Sequence, residues 1–339
     1  MKCCLKAGVA LALALAGVPA PVLGQAPSPE TAGLQQLQAE DLRVATIAYR
    51  LAVANRELCL DTAPLSGLIV HDASQYAPDY RPAAIRLFGL GGGPGVEAVV
   101  ADSAAARAGV RAGDELVAVN DVAVDRRAAD GGAADYAPVA TVKALLAAEL
   151  AKGPVDLRVV RGGETRMFRI VPVEGCASTI QLLPSDRSDA GADGRMISIT
   201  TAMVDYADGD DELAVVIAHE MAHNALRHRA RLDAAGVSRG IFRIFGKNAK
   251  QIRRTEEEAD RLGLYLMARA GFDIEAAPRF WRRYGKAHDL GFLSEPTHPR
   301  WKARVEALQA TIHWIREQQA RGAPIRPPDF PEAGLAKGG

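Results

Sequence analysis

The chain has 339 residues, 48% of them hydrophobic and 24% charged, with 41 basic side chains against 41 acidic ones. That length suits about two domains with room for a buried core, and the composition excludes wholesale disorder. A net charge of zero offers no electrostatic grip on nucleic acid, and four cysteines without a C-x-x-C pair exclude a disulfide-dense scaffold or a zinc ribbon.

Residues 1–24 read as an export signal. Lys2 and Lys6 precede an apolar run from Ala7 to Val18, and Val22-Leu23-Gly24 offers a cleavage point before Gln25. The run is shorter than the about 20 apolar residues of a membrane span, and Pro19 and Pro21 follow it. An uncleaved signal anchor is the alternative. Cleavage leaves 39 basic against 41 acidic side chains, and no later segment is apolar enough to cross a bilayer. The expected location is therefore a bacterial periplasm, with peripheral association at the envelope left open. In that oxidising compartment Cys59 and Cys176 are the two cysteines left, and their pairing would tie the N-terminal helix to the start of a C-terminal domain. Two free buried thiols are the alternative.

Residues 25–65 hold one long amphipathic helix, read over 31–60 from Leu34, Leu37, Ile47 and Leu51 among Gln, Glu and Arg, with no break before Pro64. From Ser66 to about residue 175 the pattern changes to short strands and turns. Gly95–Val100 is extended, Ala104–Ala108 is a short helix closed by Gly109, and Glu115–Val119 is a strand. A second helix covers Thr141–Leu150, after a stretch rich in Ala, Asp and Gly from Asp125 to Ala140 that reads as an insertion. Strands at Val155–Val160 and Arg166–Val171 flank the hairpin signal Arg161-Gly162-Gly163-Glu164.

The Gly-rich entry Leu90-Gly91-Gly92-Gly93-Pro94-Gly95-Val96, the run Ala104–Gly109, Gly113-Asp114-Glu115-Leu116 and the terminal hairpin together resemble a bacterial PDZ domain. In such domains a glycine-lined loop offers N–H groups to a peptide's terminal carboxylate while the peptide adds a strand to the sheet edge. The resemblance assigns that loop to Leu90, Gly91, Gly92, Gly93, Gly95 and Val96. A passive loop is the plainer alternative, and a phosphate cradle lacks the Gly-Lys-Ser/Thr it needs.

The chemistry-bearing segment is His219-Glu220-Met221-Ala222-His223, an H-E-x-x-H pattern. Its flank Glu212–Ala218 is apolar at helical spacing, and neither Pro nor Gly appears before Gly236. On a helix, i and i+4 put both imidazoles on one face, where they can share a tetrahedral zinc, and Glu220 stands beside the metal where a base must sit. The competing reading is a buried helix with two hydrogen-bonded histidines. A third ligand is needed, and Thr255-Glu256-Glu257-Glu258-Ala259-Asp260 opens an apolar helix running from Leu262 to Ala270. Glu256 and Asp260 share a face, so one carboxylate can bind the metal while the other orients an imidazole. A solvated helix start is the bland reading of the same acids.

The ordered pair H-E-x-x-H and E-x-x-x-D, with Gly194–Thr200 upstream, Arg227-His228, Ala270-Gly271-Phe272-Asp273 and Thr297-His298-Pro299, resembles the HtpX-like and CAAX-prenyl-protease superfamily of zinc metallopeptidases over roughly residues 180–312. The resemblance implies one Zn2+ per chain, held by His219, His223 and Glu256, with Glu220 as base and Asp260 behind a ligand. His298 is either an oxyanion donor, an occupant of the open metal position, or a loop residue. Substrate would lie extended along Ile197, Ser198 and Ile199. By helical extrapolation His228 points away from the metal and is structural, and His71, His288 and His313 are fillers.

The expected fold is thus α+β: a mainly helical zincin-type metallopeptidase domain with a small edge-strand sheet over 176–316, preceded by a PDZ-like β-rich domain over 66–175 and the N-terminal helix. The proline-rich tail 317–339 is expected to be disordered. The expected activity is endopeptidase cleavage of extended or unfolded envelope proteins, with protein or peptide substrates and no nucleic acid. A periplasmic chaperone or adaptor with a latent metal site is the alternative from another class, and a zinc hydrolase of non-peptide bonds is the third.

Overall fold

The computed structural model describes residues 28–127, 132–237, 246–287 and 301–328. The readings at residues 1–24, His288 and His298 lie outside them. Helix α1 (Pro29–Ala54) starts where the Ser28 side chain accepts from the Thr31 N–H and Pro29 occupies a first-turn position that has no N–H to lose. Leu34, Val44, Ile47, Ala48 and Leu51 form its buried face. It ends at Asn55, earlier than the periodicity suggests. The Asn55 side-chain amide donates to the carbonyls of Leu51 and Leu266 and so closes the helix against a neighbour.

The next unit contains β1 (Thr62–Leu65), β2 (Leu68–His71), α2 (Arg81–Phe88), β3 (Gly95–Val99), α3 (Ala104–Ala108), β4 (Glu115–Val119) and β5 (Val122–Ala123). After these come α4 (Ala137–Leu150), β6 (Val155–Arg161), β7 (Glu164–Ile170) and β8 (Val173–Cys176). The sheet order is β2-β3-β4-β6-β7, antiparallel throughout, with β5 paired to β4. Leu116, Val119, Leu157, Val159 and Ile170 fill its core with Val142 and Leu146 of α4. Two helices depart from the sequence reading. Helix α2 falls in a segment read as strands and turns; Pro82 sits in its first turn and left-handed Gly89 (φ 71°) stops it. Helix α4 starts four residues before Thr141, with Pro138 in its first turn, inside the stretch read as an insertion.

Strands β1 and β8 pair antiparallel, and a disulfide joins Cys59 to Cys176 with Cα atoms 5.4 Å apart. Closing a loop of 117 residues is worth about 5 kcal/mol in the chain-entropy picture.

The last unit holds β9 (Thr179–Leu183), β10 (Ala190–Ala192), β11 (Met196–Thr200), α5 (Thr201–Tyr206), α6 (Gly209–Ala225), α7 (His228–Ala234), α8 (Gly246–Arg269), α9 (Ala276–Ala287) and α10 (Trp301–Ala320). Its sheet runs β10-β11-β9, with β11 antiparallel to β10 and parallel to β9. Helix α6 is buried along most of its length and packs on α1, α8, α9 and this sheet. The fold is α+β. The tail is ordered further than expected: α10 reaches Ala320, Ile325 packs on the core, and its carbonyl accepts from Arg269. Among the described residues no helix is long and apolar enough to cross a membrane.

Helix α1 touches both units, and a buried acid pair marks the junction. Burial raises the pKa of Asp41 on α1, against the pull of Lys143. Burial likewise raises that of Glu97 on β3, with the Asp41 charge adding to it. Both groups hold protons more tightly folded than unfolded, so their contribution to stability falls as pH rises from the ordinary carboxyl range, about 4, through neutrality. Asp41→Asn and Glu97→Gln should each flatten that slope by about half relative to wild type, read by chemical denaturation between pH 5 and pH 8.

Candidate metal centre

His219 and His223 sit one turn apart on α6, and their Nε2 atoms approach to 3.2 Å. From α8, Glu256 places one carboxylate oxygen 3.4 Å from His219 Nε2 and the other 3.5 Å from His223 Nε2. Donors about 2.0–2.1 Å from a tetrahedral zinc lie about 3.3–3.4 Å from one another. The two imidazole nitrogens stand at that spacing, each with its own Glu256 oxygen nearby, and one donor atom from each of the three residues lies within 4.8 Å of the others; two imidazoles with one carboxylate are a ligand set that zinc accepts.

Helix packing delivers the third donor. A Cβ on Gly263 of α8 would lie 3.3 Å from the His219 backbone nitrogen and 3.4 Å from the Ala218 carbonyl carbon. The missing side chain lets α8 rest on the α6 backbone, and Glu256, two turns before Gly263 on the same face, reaches the imidazoles.

Each imidazole is held through its second nitrogen. His219 Nδ1 lies 3.0 Å from Asp260 Oδ1, and Arg304 of α10 donates to that same oxygen at 2.5 Å while stacking on Trp281. His223 Nδ1 lies 3.0 Å from Nδ1 of His228, whose Nε2 is 3.1 Å from Glu258 Oε2. Sequence reasoning missed Arg304 and misplaced His228. Arg304 carried a signal, since it falls on the buried stripe of Leu308, Ile312 and Ile315. His228 carried none. Helix α6 stops at Ala225, Arg227 turns left-handed (φ 51°) and pairs with Asp61, and α7 restarts on a new axis, so a 100° count from His223 fails.

Burial works against charge on His219, but the Asp260 and Glu256 carboxylates outweigh it and push its pKa up to about 10. Burial, assisted by the His219 charge, lowers His223 to about 3. Burial raises Glu220 to about 7, with Glu256 and Asp189 adding to it and His219 and Arg304 opposing. Burial opposes charge on Asp260 as well, yet Arg304 and His219 hold its carboxyl below the usual range.

Neither set of expected peptide-binding residues lies on a free sheet edge. Ile197, Ser198 and Ile199 lie in β11, whose backbone is paired on both sides, to β9 and β10. The open edge beside α6 is β10. Asp189, within electrostatic reach of Glu220, precedes it, and Gly194, whose N–H donates to Asn224 Oδ1 at 2.8 Å, follows it. In the other unit Gly95 and Val96 belong to β3, which lies between β2 and β4, and Leu90 is buried. Gly91 is exposed, but a Cβ on Gly92 would strike Glu115, and one on Gly93 (φ 127°) would sit 2.8 Å from Arg126 Cα. Those glycines accommodate the chain's own Arg126–Glu115 ion pair, so they do not form an open cradle. The free edges of that sheet are β2 and β7.

A model of peptidase family M48 matches residues 178–252 and 245–312, and a PDZ-domain model matches residues 95–137. The mitochondrial metalloendopeptidase OMA1 of Schizosaccharomyces pombe is 31% identical over 38% of this chain and 43% of its own length. A putative beta-barrel assembly-enhancing protease of Vibrio cholerae is 31% identical over 33% of this chain and 30% of its own. This chain thus spans less than half the length of these relatives. A solved HtrA3 PDZ domain bound to a phage-derived ligand overlays 34% of this chain and 89% of its own, at 21% identity and a TM-score of 0.24.

Zinc supplied at a hundred times its dissociation constant should stabilise the wild-type chain by about 2.7 kcal/mol. His223→Ala and Glu256→Ala should lose that gain. Thermal melts with zinc and with a chelator check it.

Proposed function

We propose that the chain, whose residues 178–312 match the model of peptidase family M48, is an exported, zinc-dependent endopeptidase that cuts extended or unfolded polypeptides of the cell envelope. The observation that carries this reading is the cluster of His219, His223 and Glu256, which offers one donor atom from each residue within 4.8 Å of one another. Bound zinc would supply Lewis acidity, polarising a scissile carbonyl and acidifying a water.

The rest is the work of this chain's own groups. Glu220, beside His219 on α6, takes a proton during attack and returns it to the departing amine; a carboxyl poised near neutrality suits both transfers. Asp260, pinned by Arg304, holds His219 with its Nε2 turned toward Glu256. Substrate adds as a strand to the free edge of β10, which packs beside α6 and is followed by Gly194 on Asn224, so recognition rests on extended main chain. The open β2 edge, beside α4, is the place for a second extended segment on the PDZ-like unit. The export signal read at residues 1–24 and the disulfide support an oxidising compartment. The Vibrio cholerae relative's name, a protease that enhances β-barrel assembly, supports envelope proteins as the substrate class.

Glu220→Gln should retain zinc yet lose cleavage of an unfolded protein by about 10²–10⁴-fold, whereas Glu256→Ala should lose both. Metal analysis beside a casein digestion tests this, and wild-type cleavage rates in Glu220→Gln would overturn it.

A further inference from the structure

The two imidazoles are held in different ways. His219 meets the Asp260 carboxylate directly at 3.0 Å, whereas His223 reaches a carboxylate through a second ring. We propose that His228 and Glu258 are positioning residues that fix the tautomer of His223 and turn its bare Nε2 toward Glu256 and His219. This inference rests on the metallopeptidase reading for its purpose, but its geometry stands alone.

Proton bookkeeping along the relay leaves one arrangement. Arg231 donates to Glu258 Oε2 at 2.6 Å and Arg254 to Oε1 at 2.9 Å, so Glu258 is held as an ionised acceptor. Glu258 Oε2 also faces His228 Nε2 at 3.1 Å, so that nitrogen carries the hydrogen and donates. Nδ1 of a neutral His228 is then a bare acceptor, and it lies 3.0 Å from His223 Nδ1. His223 must therefore carry its proton on Nδ1, which leaves Nε2 with the free lone pair a metal needs. The relay is built into the packing: His228 is 1% exposed at the start of α7, and its ring meets that of His223 at 81°. Glu258 sits farther out, its side chain 27% exposed, and both arginines reach solvent. Changing Glu258 therefore strikes the relay and leaves the buried packing in place.

The test uses the full chain with 15N-labelled histidine and compares Glu258→Ala with the conservative Glu258→Gln, which keeps an acceptor oxygen. In the metal-free wild type, long-range 1H–15N spectra should show His223 as a single Nδ1–H tautomer. Glu258→Ala should mix the tautomers and weaken zinc binding by about 10–100-fold in chelator competition, with the melting temperature of the metal-free chain little changed. Glu258→Gln should restore the single tautomer and come within a few-fold of wild-type affinity. Unchanged tautomer and affinity in Glu258→Ala would overturn the proposal, and so would equal losses of affinity in both variants with the tautomer intact. A wild type that binds no zinc would defeat the metallopeptidase reading instead, and the tautomer spectra would still decide this one.

Discussion

The close approach of α8 to α6 is the constraint on which the candidate centre depends. One helix supplies two imidazoles and the other a carboxylate, and the three donor atoms must agree within a few tenths of an ångström to share a cation. Gly263 against the backbone at Ala218 and His219 sets that spacing. Ala259, buried one turn earlier on α8, and Ala218 and Ala222, buried on α6, keep the rest of the contact thin. Bulk at this seam would move Glu256 away from the histidines before it disturbed any other feature of the core.

Around that seam, orientation is imposed from outside the triangle. Asp260 and Arg304 hold one imidazole, and His228 and Glu258 hold the other. The partners come from α7, α8 and α10, so residues far apart in sequence must fold together before the rings face one another. Charge is handled economically as well. Arg304 neutralises the buried Asp260, and Glu258 is neutralised at the surface by Arg231 and Arg254. Glu220, among buried neighbours and nearby acids, keeps an elevated proton affinity that suits it to exchanging a proton near neutral pH.

The parts of this arrangement legible in the sequence are those encoded by short-range spacing. His219 and His223 declare themselves by an i, i+4 interval, as do Glu256 and Asp260, and the hairpin around Gly162 and Gly163 by its turn residues. What could not be read was set by tertiary neighbours. The break after α6 has neither Pro nor Gly; it is stabilised by the Arg227–Asp61 pair across 166 residues of sequence. Strand order decides which backbone is open, and no local pattern states that β11 is flanked on both sides or that Arg126 occupies the glycine-rich loop. Helix α2 escaped notice because eight residues are too few for a period to show.

The disulfide between Cys59 and Cys176 has a mechanical consequence. The strands and helices of the PDZ-like sheet all lie within the covalent ring it closes, while α1 and the helices of the last unit lie outside. A pull applied between the two ends of the chain would pass straight through the sulfur bridge. The sheet would bear none of that load, while the helices of the last unit stay in tension-bearing contact with the amino-terminal helix.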